Sequence, residues 1–134
     1  MTSILPPTPM PDVEHVAVGI LAAALGPAVT VGTEWPEQLA RALPVVAVTL
    51  GGGGSRLRSV TADRTLDIDV LAGTKAEASD LAAAVSAHLI AAQGTVQYGA
   101  RIYEVGEISV IWLPDPVTEL PRYVLVMSLV VRPA

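Results

Sequence analysis

The stretch with the strongest resemblance to a chemical motif is Thr49–Arg58, TLGGGGSRLR, in which four glycines, a serine and two arginines follow an apolar run. A phosphate-binding loop places its glycines directly before a helix, because the helix N-terminus supplies the amide groups and the dipole. Here no lysine follows the glycines, and the residues after Arg58 lead into a strand pattern. The stretch is therefore predicted to be a hairpin tip, a long and mobile connection between Leu50 and a strand at Asp63–Leu71.

This predicted hairpin carries three of the eight basic residues of the chain, Arg56, Arg58 and Arg64, within nine positions. One interpretation is an ordinary solvated hairpin. The alternative is a flexible basic finger that becomes ordered on the acidic surface of a partner. The three arginines are therefore candidate interaction residues.

Two carboxylates and two histidines are the other residues whose side chains could take part in catalysis or bind a metal. Asp67 and Asp69 lie on the same face of a predicted strand, about 6 to 7 Å apart. Such a pair could hold a divalent cation or act as an acid and a base, but no histidine or third acidic motif lies nearby. An exposed polar strand face is the favoured interpretation, and His15 and His88 are isolated on two helices. The sequence therefore predicts no catalytic, cofactor-binding or metal-binding residues.

Composition narrows the class of protein. The chain has 134 residues, of which 51% are hydrophobic and only 16% charged, yet no window of about 18 uninterrupted apolar residues suggests a membrane span. A net charge of −5 argues against tight nucleic-acid binding, and the lack of cysteine excludes disulfides and thiolate chemistry. The surplus apolar surface is expected to be covered by partner subunits, with Trp35, in a loop, as a candidate interface anchor.

The pattern of elements predicts an α+β fold. Residues 1–11 hold four prolines and are expected to form a flexible arm, and residues 12–134 a single domain. One helix is predicted from the Asp12 cap to Gly26, and a second from the Thr74 capping box to about Gln93. Strands are predicted at 28–31, 45–50, 65–71, 95–98, 102–113 and 123–132, with a turn of helix between Pro36 and Leu43. We expect a single mainly antiparallel or mixed sheet with two helices packed on one face.

The last predicted strand, YVLVMSLVV, is apolar on both of its faces. One face can pack against the two helices. The other face needs a cover, and no third helix is predicted to supply it. A neighbouring subunit is the expected solution.

Three segments together resemble a known family: VGTEWPEQLARALPVVAVTLGGG, RTLDIDVLAGTKAEASDLAAAVSAHL, and a final strand ending LVVRP. They are similar to the tail terminator, or tail completion, proteins of long-tailed bacteriophages, especially those of actinobacterial hosts. The resemblance covers most of the chain from Asp12 onward. It is a composite of a proline-bounded entry, an alternating aspartate strand and an alanine-rich helix.

The resemblance implies a structural virion protein and no enzyme. Tail terminators are small α+β proteins that form a six-membered ring on the tail tube, stop its polymerisation and present the surface for head attachment. The implied partners are other copies of the chain, the tail tube protein and a head-completion (neck) protein, with DNA passing through the lumen without specific binding. No cofactor and no membrane are implied, and assembly would occur in the host cytoplasm. Arg56 and Arg58 become candidates for contact with the tube or an adjacent subunit. Another head–tail joining ring protein and a small hydrolase are the alternatives.

Overall fold

The computed structural model describes residues 7–55 and 60–134. These residues form three helices and six strands. They follow in the order α1 (Val13–Leu25), β1 (Thr30–Gly32), α2 (Leu39–Ala42), β2 (Val45–Ser55), β3 (Ala62–Leu71), α3 (Lys75–Ala91), β4 (Val96–Gln97), β5 (Ala100–Trp112) and β6 (Arg122–Pro133).

The six strands form one sheet in the order β1-β2-β3-β6-β5-β4. The short β1 pairs with β2 in parallel, and all other neighbours are antiparallel. The two long helices α1 and α3 pack together on one face of this sheet. The predicted α+β fold, with one mixed sheet and two helices on one face, is therefore confirmed. No helix in the described part of the chain is long and apolar enough to cross a membrane.

Both long helices begin where their capping residues predict. The Asp12 carboxylate accepts hydrogen bonds from the amides of Glu14 and His15, at 3.0 and 3.3 Å. The Thr74 hydroxyl accepts one from the amide of Glu77 at 3.2 Å. These side chains satisfy amides that have no partner within the helix, so local sequence alone fixes both helix starts.

The core lies between the helix layer and the sheet. Leu66, Ile68 and Val70 of β3 alternate onto this face and are fully buried, as the strand pattern predicts. Leu21 of α1 and Leu89 of α3 belong to the same cluster. Burial of these aliphatic side chains, each contributing about 1.5–3 kcal/mol, holds the helices onto the sheet.

The glycine-rich segment differs from its prediction, because it is strand and not hairpin tip. Gly52, Gly53 and Gly54 pair with Thr65, Arg64 and Asp63, so β2 extends five residues past Leu50. The register shifts between Leu50 and Gly52, which marks a bulge. Gly53 has a φ of 127°, and a Cβ atom there would overlap the carbonyl group of Asp63. Close backbone approach and positive φ therefore explain the glycine at this position.

Gly53→Ala tests this explanation, with Gly54→Ala as the matched control. The first substitution places a methyl group on a backbone carbonyl at a positive φ, and we expect it to lower the free energy of unfolding by about 1–3 kcal/mol. At Gly54 a Cβ meets nothing within 4 Å, so a change within about 0.5 kcal/mol is expected. Urea denaturation of both variants measures the difference. Equal stabilities would contradict the paired geometry of this segment.

Candidate assembly surface

The sheet face opposite the two long helices is covered at one end by the chain itself. Leu39 of α2 packs on Val45 and Leu71, and Trp35 and Leu120 lie at the margin of this small cluster. The predicted helical turn between Pro36 and Leu43 is thus a real cap on the second face. The expectation that this chain supplies no cover of its own was wrong at this end of the sheet.

The remainder of this open face is mixed in character. Val124 and Val126 of β6 are half-buried, and their partners on β3 are Asp69 and Asp67. The apolar face predicted for β6 is therefore a narrow column flanked by carboxylates. The sequence prediction considered β6 by itself, whereas the character of a sheet face depends on the neighbouring strands.

Trp35, Asp69 and Arg122 form one polar and aromatic cluster on the open face. The Trp35 Nε1 donates to the Asp69 Oδ2 at 2.9 Å, and the Arg122 guanidinium lies 5.5 Å from the Trp35 ring centre. A nitrogen of Arg122 also lies 3.9 Å from the Asp69 Oδ1. Trp35 therefore packs within its own chain, and the Asp69 carboxylate is engaged structurally. Among the described residues, no group of three or more His, Cys, Asp or Glu is arranged to hold a metal ion.

The connection between β5 and β6 completes this cap through an aspartate-centred turn. Asp115 is 7% exposed, and its Oδ2 accepts hydrogen bonds from the Thr118 hydroxyl at 2.6 Å and the Thr118 amide at 2.8 Å. The Thr118 hydroxyl, then the Thr118 amide, lower the pKa of Asp115 below its ordinary 3.8, with a smaller contribution from the charge of Arg122. The Asp115 amide also donates a hydrogen bond to the carbonyl of Leu120 at 3.1 Å, which holds that residue close to the cap.

The remaining predicted residues fall at separate places. Arg64 donates to the carbonyl oxygens of Asp63 and Gly54, at 3.0 and 3.3 Å, and so braces the glycine-rich strand. Arg56 and Arg58 lie outside the described residues, and the basic finger stays a prediction. His15 stacks edge-on to Tyr98 at 6.0 Å between ring centres. His88 is exposed on α3.

A concave region of about 580 Å³ lies beside the glycine-rich strand and includes several polar groups. Gln93 accepts a hydrogen bond from the amide of Val105 at 3.0 Å, and Ser128 donates to the carbonyl of Gly106 at 3.4 Å. Arg64, also in this lining, binds backbone carbonyls. These polar groups support the main chain, and their arrangement does not resemble a nucleophile with its base.

The prominent exposed apolar feature is the second half of β5. Four side chains in this half and directly after it, which we call the β5 edge patch, are 60%, 44%, 51% and 49% exposed: Ile108, Val110, Ile111 and Leu113. Strand β4 pairs only with Ala100 and Arg101, so no strand in the described part of the chain covers the outer edge of β5 beyond them. The sequence prediction missed this patch. The sequence indicates it through the run ISVIWL, in which every residue except Ser109 is apolar, so that apolar residues lie on both strand faces.

Substitutions at Trp35 test whether this residue stabilises the monomer. Trp35→Phe removes the bond to Asp69 and keeps a ring, so we expect a loss of about 0.5–1.5 kcal/mol in unfolding free energy. Trp35→Ala also removes the packing and should cost about 2–3 kcal/mol, less than a fully buried tryptophan. Urea denaturation at low protein concentration measures both. A Trp35→Ala variant with unchanged stability and lost self-association would instead make Trp35 an interface anchor.

The turn at Asp115 gives a prediction for pH dependence. Because the folded pKa of Asp115 is lowered, its contribution to stability is present above the unfolded pKa and disappears as pH falls through the folded pKa. Thr118→Val removes the larger cause, so the pKa of Asp115 should rise toward 3.8. Part of the stability at neutral pH should be lost with it. Carboxyl-detected NMR titration measures the shift, and Thr33→Val, at an exposed threonine elsewhere, is the control. An unchanged titration in the Thr118 variant would contradict this assignment.

Comparison with known proteins finds a similar fold in a solved structure. No protein-family model matches the sequence, and no curated protein is significantly similar to it. A chain in the solved virion of a native gene transfer agent particle is similar in structure, with a TM-score of 0.62. The similarity covers 90% of this chain and 94% of that chain, at 22% sequence identity. The two chains therefore share a fold over nearly their whole length.

Proposed function

We propose that this chain is a structural virion protein, a tail terminator that forms a ring on the tail tube of a long-tailed phage or phage-like particle. The observation that carries the proposal is the β5 edge patch. Four aliphatic side chains remain about half exposed on and directly after a strand whose outer edge has no neighbour past Arg101 among the described strands. Apolar patches of this kind mark protein interfaces. The fold shared with a virion chain and the resemblance to tail terminators support the same function.

A ring explains how such a chain could stop a growing tube. A subunit that contacts its neighbour through two different surfaces forms a closed ring when the rotation per subunit divides a full turn. The two faces of that ring differ. One face matches the last layer of the tube, and the other does not repeat the tube surface, so no further tube subunit adds. The second face is then available to a head-completion protein.

The charge of the chain fits a lumen that conducts DNA. The net charge is −5, and β3 places Asp67 on the open sheet face together with Asp69. Like charge opposes the release of counterions that drives protein binding to DNA phosphates. DNA would therefore pass a ring of such subunits without being held. We propose six subunits and a location at the head–tail junction, following the family resemblance.

A substitution in the β5 edge patch tests ring formation, with a matched isoleucine as the control. Ile111 is 51% exposed on β5, and Ile90 is 44% exposed on α3. Ile111→Lys removes about 0.8–1.5 kcal/mol of burial from each interface, since only half of the side chain is still exposed, and adds a charge, so we expect self-association to weaken more than tenfold. Ile90→Lys should leave assembly intact, and both variants should unfold within about 0.5 kcal/mol of the parent chain.

Light scattering after size exclusion, and negative-stain microscopy, measure the assembly. The parent chain should form rings that cap tubes of purified tail tube protein and limit their length. A chain that is monomeric from micromolar to millimolar concentration would contradict the ring. Rings that bind a head connector but leave tube growth unchanged would favour another neck protein.

A further inference from the structure

The sheet has an unpaired strand edge on each of its two sides. Strand β1 covers β2 only from Val45 to Ala47, so residues 48–55 of β2 have no outer neighbour among the described strands. Strand β4 covers only the first two residues of β5. Along β5, Ile102 bonds to Thr95 and the Val105 amide donates to the Gln93 side chain. Residues 103–112 have no neighbouring strand on that side within the described chain, and the main-chain groups after Val105 are the open part of this edge. The two open edges are of similar length and lie at opposite sides of one sheet.

We propose that the β2 edge of one copy pairs with the β5 edge of the next copy, and that this head-to-tail strand pairing is the ring interface. The inference rests on the proposed function, which requires two different contact surfaces on each subunit. It names the surfaces and the occupant: the open strand of one copy is covered by the open strand of another. Pairing satisfies the main-chain groups that an edge strand exposes.

Strand direction permits this pairing without any rearrangement. Strands β2, β3, β6 and β5 are successive antiparallel neighbours, so β2 runs in the opposite direction to β5. A second copy that lies beside the first in the same orientation keeps that direction for its own β2. Its β2 is therefore antiparallel to the β5 strand that it meets. The helices of both copies then lie on the same side of one continuous sheet. Antiparallel pairing of this kind has well-aligned hydrogen bonds.

The two edges are also complementary in side-chain volume. On β2 the unpaired edge includes Gly51 to Gly54, all exposed. Gly54 has no positive φ, and a Cβ there would meet no atom of the described residues within 4 Å, so nothing in the described part of the subunit requires glycine there. Glycine in a strand often marks the close approach of another backbone. Within one subunit the registers place Gly52 to Gly54 level with Gly106 to Glu104 of β5. A neighbouring copy displaced along the strand direction by about four residues, at roughly 3.3 Å each, would bring its glycines beside Ile108 and Ile111, for whose large side chains they leave room.

Glu14 sets where the pairing begins. Its Oε2 accepts a hydrogen bond of 2.7 Å from the amide of Leu50, which therefore points outward from the edge of β2. A carboxylate in this position protects an edge against uncontrolled strand addition. It leaves the glycine-rich part of β2, from Gly51 onward, as the segment open to a neighbour.

Pairing of β5 with β5 of a second copy is the alternative. That arrangement follows a two-fold axis, uses the same edge twice and leaves the β2 edge open. It yields a closed dimer. Only the pairing of two different edges leaves one free edge of each kind at the ends of a growing assembly, as ring closure requires.

Disulfide trapping separates these arrangements, because the chain has no cysteine of its own. Single cysteines are placed on the open sheet face of β2, as Thr49→Cys and Gly54→Cys, and on that of β5, as Ser109→Cys and Ile111→Cys. Ser79→Cys, exposed on α3, is the control. A disulfide requires the two Cα atoms to come within about 4.4–6.8 Å. Each β2 variant is mixed with each β5 variant, oxidised mildly and analysed on a non-reducing gel.

Head-to-tail pairing predicts at least tenfold more crosslinked dimer in one of the mixed samples than in any single variant or the Ser79 control. A chain with both cysteines of that pair should give a ladder that ends at the ring size. Self-crosslinking of a β5 variant as strong as any mixture would overturn the inference in favour of β5–β5 pairing. Rings in the microscope without crosslinks above the control would overturn it as well, and would leave the proposed function standing. Head-to-tail crosslinks in open filaments would support the strand pairing and contradict the ring.

Discussion

The unpaired main-chain groups at the two sides of the sheet are the constraint from which the behaviour of this molecule follows. Backbone N–H and C=O groups that leave water need partners, and within a sheet only another strand supplies a full row of them. The chain covers the first residues of each outer edge with the short strands β1 and β4, and then stops. The aliphatic interior is well packed between the helices and the sheet. The main-chain groups beyond these short strands are the ones to which the proposed association gives partners.

The two faces of the sheet differ in how completely they are buried. The helix face carries the aliphatic core around Leu66 and Ile68 and holds the domain together. The other face is capped at one end by α2 and Trp35 and carries carboxylates along β3. Since its apolar column on β6 is already half-buried by neighbouring side chains, this face needs no complete cover. The demand for a partner therefore lies at the edge of the sheet, where the β5 edge patch remains exposed.

Local sequence signals predicted the helices well. The glycine-rich segment was predicted as a hairpin tip and is a strand, because it pairs with β3. Asp12 and Thr74 satisfy their own helix amides, so a few neighbouring residues carry the information. Gly53, in contrast, is strand because Arg64 on the opposite strand pairs with it, which single-strand propensity cannot reveal. The cap formed by α2 was missed for a similar reason. Its apolar contact through Leu39 depends on which sheet face Val45 presents, and the sequence left that choice open.

Bulges supply the curvature that separates a ring from an endless ribbon. A flat strand with a heterologous edge would add copies indefinitely, as filaments do. In β5 the register with β6 shifts twice, between Ile102 and Glu104 and between Glu107 and Ser109, and β2 shifts once after Leu50. Each bulge bends its strand and increases the local twist. The bulges therefore lie in the two strands that the proposed pairing joins. In that pairing each added copy would be rotated relative to the last, and closure after a fixed number of subunits would follow from the twist of the edge strands.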